Sequence, residues 1–149
     1  GDEVTARTGH DDHVPGGRQG QRTDVKGQFK IKYTVENMLT NDDDEFSASM
    51  LVRTTKRPFY DIMLDAAEKD DKFSFTSHDF PGMGQYITSL NGLEANTSQQ
   101  TFWAFLHRGC YECLMPVGVS SYVPSPGEHV VLSFDSYDIF NRLPNCIWP

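Results

Sequence analysis

Residues 101–106 read TFWAFL. On a β-strand successive side chains point to opposite faces. Thr101, Trp103 and Phe105 then share one face, and Phe102, Ala104 and Leu106 the other. Both faces are largely apolar, so this strand must be covered from two sides. The chain has 149 residues, which suits one domain of ~100–150 residues. Few elements are therefore at hand to supply two covers.

The alternation of Phe29, Ile31, Tyr33 and Val35 with Gln28, Lys30, Lys32 and Thr34 predicts a half-buried strand. A second strand spans Phe46 to Arg53, with Phe46, Ala48, Met50 and Val52 on one face. At PFYDIMLDAAEKDD the period changes. Phe59, Ile62 or Met63, Ala66 and Ala67 recur at helical spacing, which predicts an amphipathic helix over Pro58–Lys69. Pro58 is tolerated there because the first turn needs no N–H. Phe73–Thr76, Tyr86–Leu90, Thr101–Leu106, Met115–Val117 and Val130–Tyr137 read as further strands. FPGMG and PSPG read as turns.

Two strands, one helix and then several strands imply an α+β domain with mixed or antiparallel sheets. The domain takes in residues 28–137. Residues 1–27, rich in Gly, Asp and Arg and without apolar periodicity, read as a flexible tail. Residues 138–149 read as a C-terminal tail pinned by Ile147 and Trp148. A single helix covers one face of a sheet and leaves the other open.

The net charge of −8 excludes nucleic acid and anionic membrane surfaces as partners, since both need clustered Lys and Arg. No apolar run reaches the ~18–20 residues of a membrane-spanning helix. The chain opens Gly-Asp-Glu without Met, as a processed mature chain or a trimmed one would. Three cysteines are present, Cys110, Cys113 and Cys146. Cys110 and Cys113 form a C-x-x-C, but zinc would need a second ligand pair and a redox motif would need a strand-to-helix context. A structural disulfide between two of the three is the favoured reading, which leaves one thiol able to join a second chain. Asn96-Thr97-Ser98 is a glycosylation sequon. With the missing Met it favours a secreted protein.

His10-Asp11-Asp12-His13 has metal-compatible side chains, and Asn41–Glu45 is an acidic run without the Gly and distal Glu of an EF-hand. Both read as solvated segments, and no metal centre is expected. No catalytic centre is expected either. His107 lies three residues from Cys110 with nothing to orient it, and His78-Asp79 reads as part of a turn.

Phe59–Tyr137 resembles the C-terminal β domain of the cobalamin carriers, transcobalamin and gastric intrinsic factor. DIMLDAAEKDDKFSF looks like that family's helix and F-x-F strand, and YITSLNGL like its Y-I-T-S-x-x-G-L segment. TFWAFL looks like its T-Y-W-x-L-L strand, and VGVSSYVPSPGEHV like its G-V-x-S-Y-V-x-x-x-G-E segment. The resemblance implies a β-grasp-like domain in a secreted small-molecule carrier. In the carriers a helical domain precedes this one and cobalamin sits between them. Their pocket-side positions fall here on Ser89, Leu90, Asn91, Trp103 and Phe105, with Tyr122 nearby. The chain departs from the family at Phe80–Gly84, where the carriers show S-W-G, and in its Cys110–Cys113 loop. It is expected to stand alone, with no helical domain and no His to ligate cobalt.

Without that domain, the apolar face bearing Tyr86, Leu90, Trp103 and Phe105 is expected to need a foreign cover. The expected role is noncovalent binding of a hydrophobic or cofactor-sized ligand, a corrinoid or another apolar chromophore. A second copy or partner chain would complete the site. Ser89 and Asn91 would set the ligand's orientation. The alternatives are an extracellular interaction module without ligand, and a chain whose own tails fold over the face so that Trp103 is core.

Overall fold

The computed structural model describes residues 3–6, 26–40 and 43–147. The domain is α+β, with strands in two sheets around one main helix. The elements are β1 (Glu3–Ala6), β2 (Phe29–Asn37), β3 (Phe46–Thr54), α1 (Phe59–Lys69), β4 (Phe75–Phe80), β5 (Gly84–Leu90), β6 (Leu93–Glu94), β7 (Thr101–Arg108), β8 (Glu112–Leu114), β9 (His129–Ser136) and α2 (Ile139–Arg142). The large sheet has the order β3-β2-β9-β7-β8, and the small sheet β1-β4-β5-β6. β2 and β9 pair in parallel at the centre of the large sheet; the other pairs are antiparallel.

The alternation along β2 puts Ile31, Tyr33 and Val35 on the inner face, each essentially inaccessible to solvent. They meet the apolar stripe of α1, formed by Phe59, Ile62, Met63, Ala66 and Ala67. Phe75, Ile87 and Leu90 of the small sheet close the same core. Burying one such side chain contributes ~1.5–3 kcal/mol, which is what binds helix and sheets together. The helix begins at Phe59 because two of its orphan amides find loop carbonyls. Phe59 N–H donates to Tyr122 O at 2.8 Å, and Tyr60 N–H to Val119 O at 3.0 Å. It ends where Asp70 turns extended and its carboxylate accepts from Lys72 N–H.

The strand TFWAFL is covered on both faces by the chain itself. Trp103 belongs to the inner core, 5% exposed, with Phe105 packed against it. On the outer face, Ala104, Leu106, Leu114 and Val131 form a second cluster with Ile139, and Phe102 and Leu143 pack onto it. The cover is therefore the segment from Ile139 to Cys146. A Cys113–Cys146 disulfide holds it down, and Leu114 N–H donates to Pro144 O while Cys146 N–H donates to Leu114 O.

This corrects two expectations. The oily face is not left for a foreign cover at Trp103 and Leu90, which are 5% and 0% exposed. Residues 138–147 are a packed part of the domain rather than a tail, pinned by Ile139 and Cys146 while Ile147 is 81% exposed. Smaller differences follow from local chemistry. The strand expected at Met115–Val117 lies at Glu112–Leu114, because Pro116 has no N–H for a ladder. His78 and Asp79 sit within β4, not in a turn, and Glu3–Ala6, read as tail, pairs with β4.

Candidate functional site

β8 pairs only with Leu106, His107 and Arg108 of β7. Among the described residues, the outer edge of β7 from Phe102 to Ala104 therefore has no neighbouring strand in the large sheet. A groove of about 280 Å³ runs along this edge, between β7 and β5. Because it follows an edge, side chains from both faces of β7 reach it: Trp103 and Phe105 from the inner face, Phe102 from the outer.

Ile87 and Leu132 contribute buried apolar lining, and Tyr86, Val117 and Phe140 form an exposed rim. The rim is exposed, with Tyr86 at 44%, Val117 at 45% and Phe140 at 59%. Phe102 stacks on Phe140 with ring centroids 5.3 Å apart, so α2 presents its aromatic to the groove as a continuation of β7. Gln85 and Asn145 are the polar side chains at the wall. Burial raises the Tyr86 phenol pKa, and the nearby Tyr137 adds to the effect, so the group is a neutral hydrogen-bonding phenol at physiological pH.

The walls are fixed from behind. Gly84 starts β5 at φ 91°, and a Cβ there would come within 2.6 Å of Ser120 Cβ. Only glycine lets β5 approach this closely, and the Gln85 amide then donates to Ser120 Oγ at 2.9 Å. Further along the same loop, Tyr122 donates to both Glu128 carboxylate oxygens at 2.7 and 2.8 Å. Burial raises the Tyr122 pKa, and its bond to Glu128 raises it further. His107 Nε2 lies 3.2 Å from Glu128. Phe105 meets the Tyr122 ring edge-on at 5.8 Å.

Of the residues singled out in the sequence, Tyr86, Trp103 and Phe105 line the groove. Trp103 does so as core, its indole N–H donating to Leu93 O at 2.9 Å. Leu90 is wholly buried, and Tyr122 stands behind Phe105. Ser89 bonds to Thr76 on the small sheet at 2.7 Å. Asn91 has φ 51° and with Gly92 makes the two-residue turn joining β5 to β6. Sequence reasoning missed Phe102, Val117 and Phe140. The double-faced TFWAFL strand was the signal for Phe102; nothing local marks the other two.

Cys110 is exposed and unbridged at the β7–β8 hairpin, so the C-x-x-C is not a disulfide loop. Asn96 is exposed, and its side-chain oxygen accepts from the Ser98 and Gln99 amides. Among the described residues no three His, Cys, Asp or Glu side chains form a metal-binding group. His10-Asp11-Asp12-His13 lies outside the described residues. No described helix is long and apolar enough to cross a membrane.

The geometry can be set beside known proteins. The chain superposes on haptocorrin in complex with Cbi with a TM-score of 0.63 and 25% identity, over 78% of this chain and 27% of that one. It thus spans about a quarter of the haptocorrin chain. It also superposes on a protein from Ruminococcus gnavus described as a candidate metal binding protein, with a TM-score of 0.53 and 16% identity, over 72% of this chain and 97% of that one. That second likeness is one of fold alone. No curated protein matches the chain. A family signature covers residues 59–136, from the start of α1 to the end of β9 and a little over half of the chain, and the chain therefore belongs to the family described as domain of unknown function DUF4430.

Proposed function

We propose that this domain binds a hydrophobic or cofactor-sized small molecule noncovalently in the groove between β5 and the open edge of β7, and performs no chemistry on it. The carrying observation is the groove itself: apolar side chains from both sheets and from α2 converge beside β7 where its pairing with β8 stops. Ligand sites are concave and mostly apolar, with a few polar groups that orient the guest. Here Tyr86, Gln85 and Asn145 would serve that purpose. The volume of about 280 Å³ is below the ~300–1,000 Å³ of sites that enclose a whole ligand. The domain would then grip one side of a larger guest, with a second chain or domain over the rest. The likeness to haptocorrin, captured with Cbi, supports a corrinoid as the first candidate and kinship with the cobalamin carriers' β domain. The Cys113–Cys146 bridge supports an extracellular setting, where disulfides persist.

The exposed rim supports a second reading, an extracellular module that docks another protein through Tyr86, Met83 and Phe140, which are 44%, 80% and 59% exposed. One experiment separates the two. The purified protein is titrated with cobinamide and, separately, with an apolar fluorescent probe, following tryptophan quenching and visible absorbance. Under the carrier reading, Tyr86→Ala and Phe140→Ala each weaken binding by about tenfold, equivalent to ~1.4 kcal/mol, and leave thermal stability unchanged. Saturable binding by neither compound, or affinities indifferent to both substitutions, sinks the carrier reading and leaves the docking module. Trp103→Ala is a poor probe, because it also opens the core.

A further inference from the structure

Among the described residues, the large sheet ends on the side away from the groove in β3, nine residues whose one described strand neighbour is β2. Soluble proteins usually blunt such an edge with Pro, Lys, a bulge or a covering segment. The sequence FSASMLVRT has no Pro, no Lys and one charge, Arg53, and its register with β2 runs unbroken from Phe46 to Thr54. Phe46, Ala48 and Met50 point to the core side yet stay only half-buried, whereas Val52 is buried. On the outer side Leu51 is 68% exposed. Both faces of this edge thus hold apolar surface that β2 alone does not cover.

The flanks of β3 carry opposite charge. Asp43, Asp44 and Glu45 precede it; Arg53 near its end is followed by Lys56 and Arg57. All but Arg57 are exposed, and Arg57 is ion-paired with Asp65. An edge built this way is complementary to its own reversed copy.

We propose that β3 is a homodimer interface, pairing antiparallel with β3 of a second copy about a two-fold axis at Met50. Met50 then opposes Met50, Ala48 opposes Val52, Ser49 opposes Leu51 and Phe46 opposes Thr54. Every pair joins residues of the same face, as a continuous sheet requires. The half-buried core-side residues of each copy extend the other's apolar face. The acidic flank of each strand lies beside the basic flank of the other, with Asp44 near Lys56. Parallel self-pairing would set acid against acid and base against base, and like charges directly opposite destabilise a sheet. The interface is separate from the groove and does not depend on the ligand reading.

The test is sedimentation equilibrium of the full chain carrying Cys110→Ser, which removes any disulfide-linked dimer. A reversible species of twice the chain mass is expected, weakening as salt rises. Leu51→Lys sets two like charges diagonally across the axis from an exposed position. It should weaken the dimer at least about tenfold with an unchanged circular dichroism spectrum and melting temperature. Lys56→Glu should also weaken it, and adding Asp44→Lys to that variant should restore it. A chain that stays monomeric at the highest attainable concentration overturns the proposal. So does a dimer indifferent to Leu51→Lys, or a charge swap that fails to restore association.

Discussion

The sulfur of Cys113 is bonded to that of Cys146, 33 positions along the chain, and the nearer Cys110 stays free. The bridge clamps the α2 segment over Phe102, Ala104 and Leu106. A closed loop of this length restricts the unfolded chain by ~3–4 kcal/mol in the chain-entropy account. Replacing both Cys113 and Cys146 by Ser should lower unfolding free energy in urea by ~2–4 kcal/mol. It should also raise hydrogen exchange along the outer edge of β7, since the cover loses its tether.

Tyr33 is fully buried between Phe59 and Phe73, each ring centroid 5.0 Å away, and its hydroxyl has no hydrogen-bond partner among the described residues. The same burial drives its pKa far above the ordinary value. A buried, unpartnered hydroxyl costs ~1–3 kcal/mol. Tyr33→Phe should therefore match or exceed the wild type in stability, by up to ~2 kcal/mol, whereas Tyr33→Ala should cost ~3–5 kcal/mol through the cavity it leaves. A clear loss in the Phe variant, read from urea midpoints, would show that the hydroxyl has a partner after all.

His129 Nε2 lies 2.7 Å from Thr34 Oγ1 on the outer face of the large sheet. Burial lowers its pKa, and Lys32 and Arg108 push the same way. The unfolded chain then binds this proton more readily than the folded one, so acid favours unfolding. The contribution from His129 is intact above the unfolded value of ~6.5 and is lost as pH falls through the lower folded value. Urea midpoints at pH 7.5 and 5.5 should differ less in His129→Gln than in the wild type. An equal drop in both would assign the acid sensitivity to other groups.

Gly84 holds β5 against Ser120 with no room for a methyl group. Gly84→Ala forces a strained positive φ as well as a clash, and should cost ~1–3 kcal/mol. It should also move Tyr86 away from the groove wall. A ligand that binds there should show a weaker affinity in this variant even at temperatures where it remains folded.

Much of the architecture was legible because short-range physics sets it. The alternation through Phe29–Val35 and the helical spacing of Phe59, Ile62, Met63 and Ala66 each place apolar side chains on one side of a local element. Asn91-Gly92 joins β5 to β6 for an equally local reason, the positive φ of both residues. Of the residues singled out in the sequence, Tyr86, Trp103 and Phe105 line the candidate groove. Ser89, Leu90 and Asn91 lie on the same strand and turn yet do not line it, because the β4–β5 register shift at Thr76/Ser77 and the turn decide where each points. Val117 and Phe140 come from loops and a short helix whose sequences carry no period to read.

The sequence by itself determined that the face of Ala104 and Leu106 would need a cover, since an apolar strand face left in water forgoes several kcal/mol. It also determined that Asp43–Glu45 and Lys56 would flank β3 with opposite charge. Only the tertiary structure decided what hides that face and where the cover stops. Ile139 and the Cys113–Cys146 bridge seal most of it, but β8 is too short to follow β7 beyond Leu106. That shortfall is a matter of long-range pairing, in which loop closure and competing contacts outweigh any local preference, and it leaves the groove open.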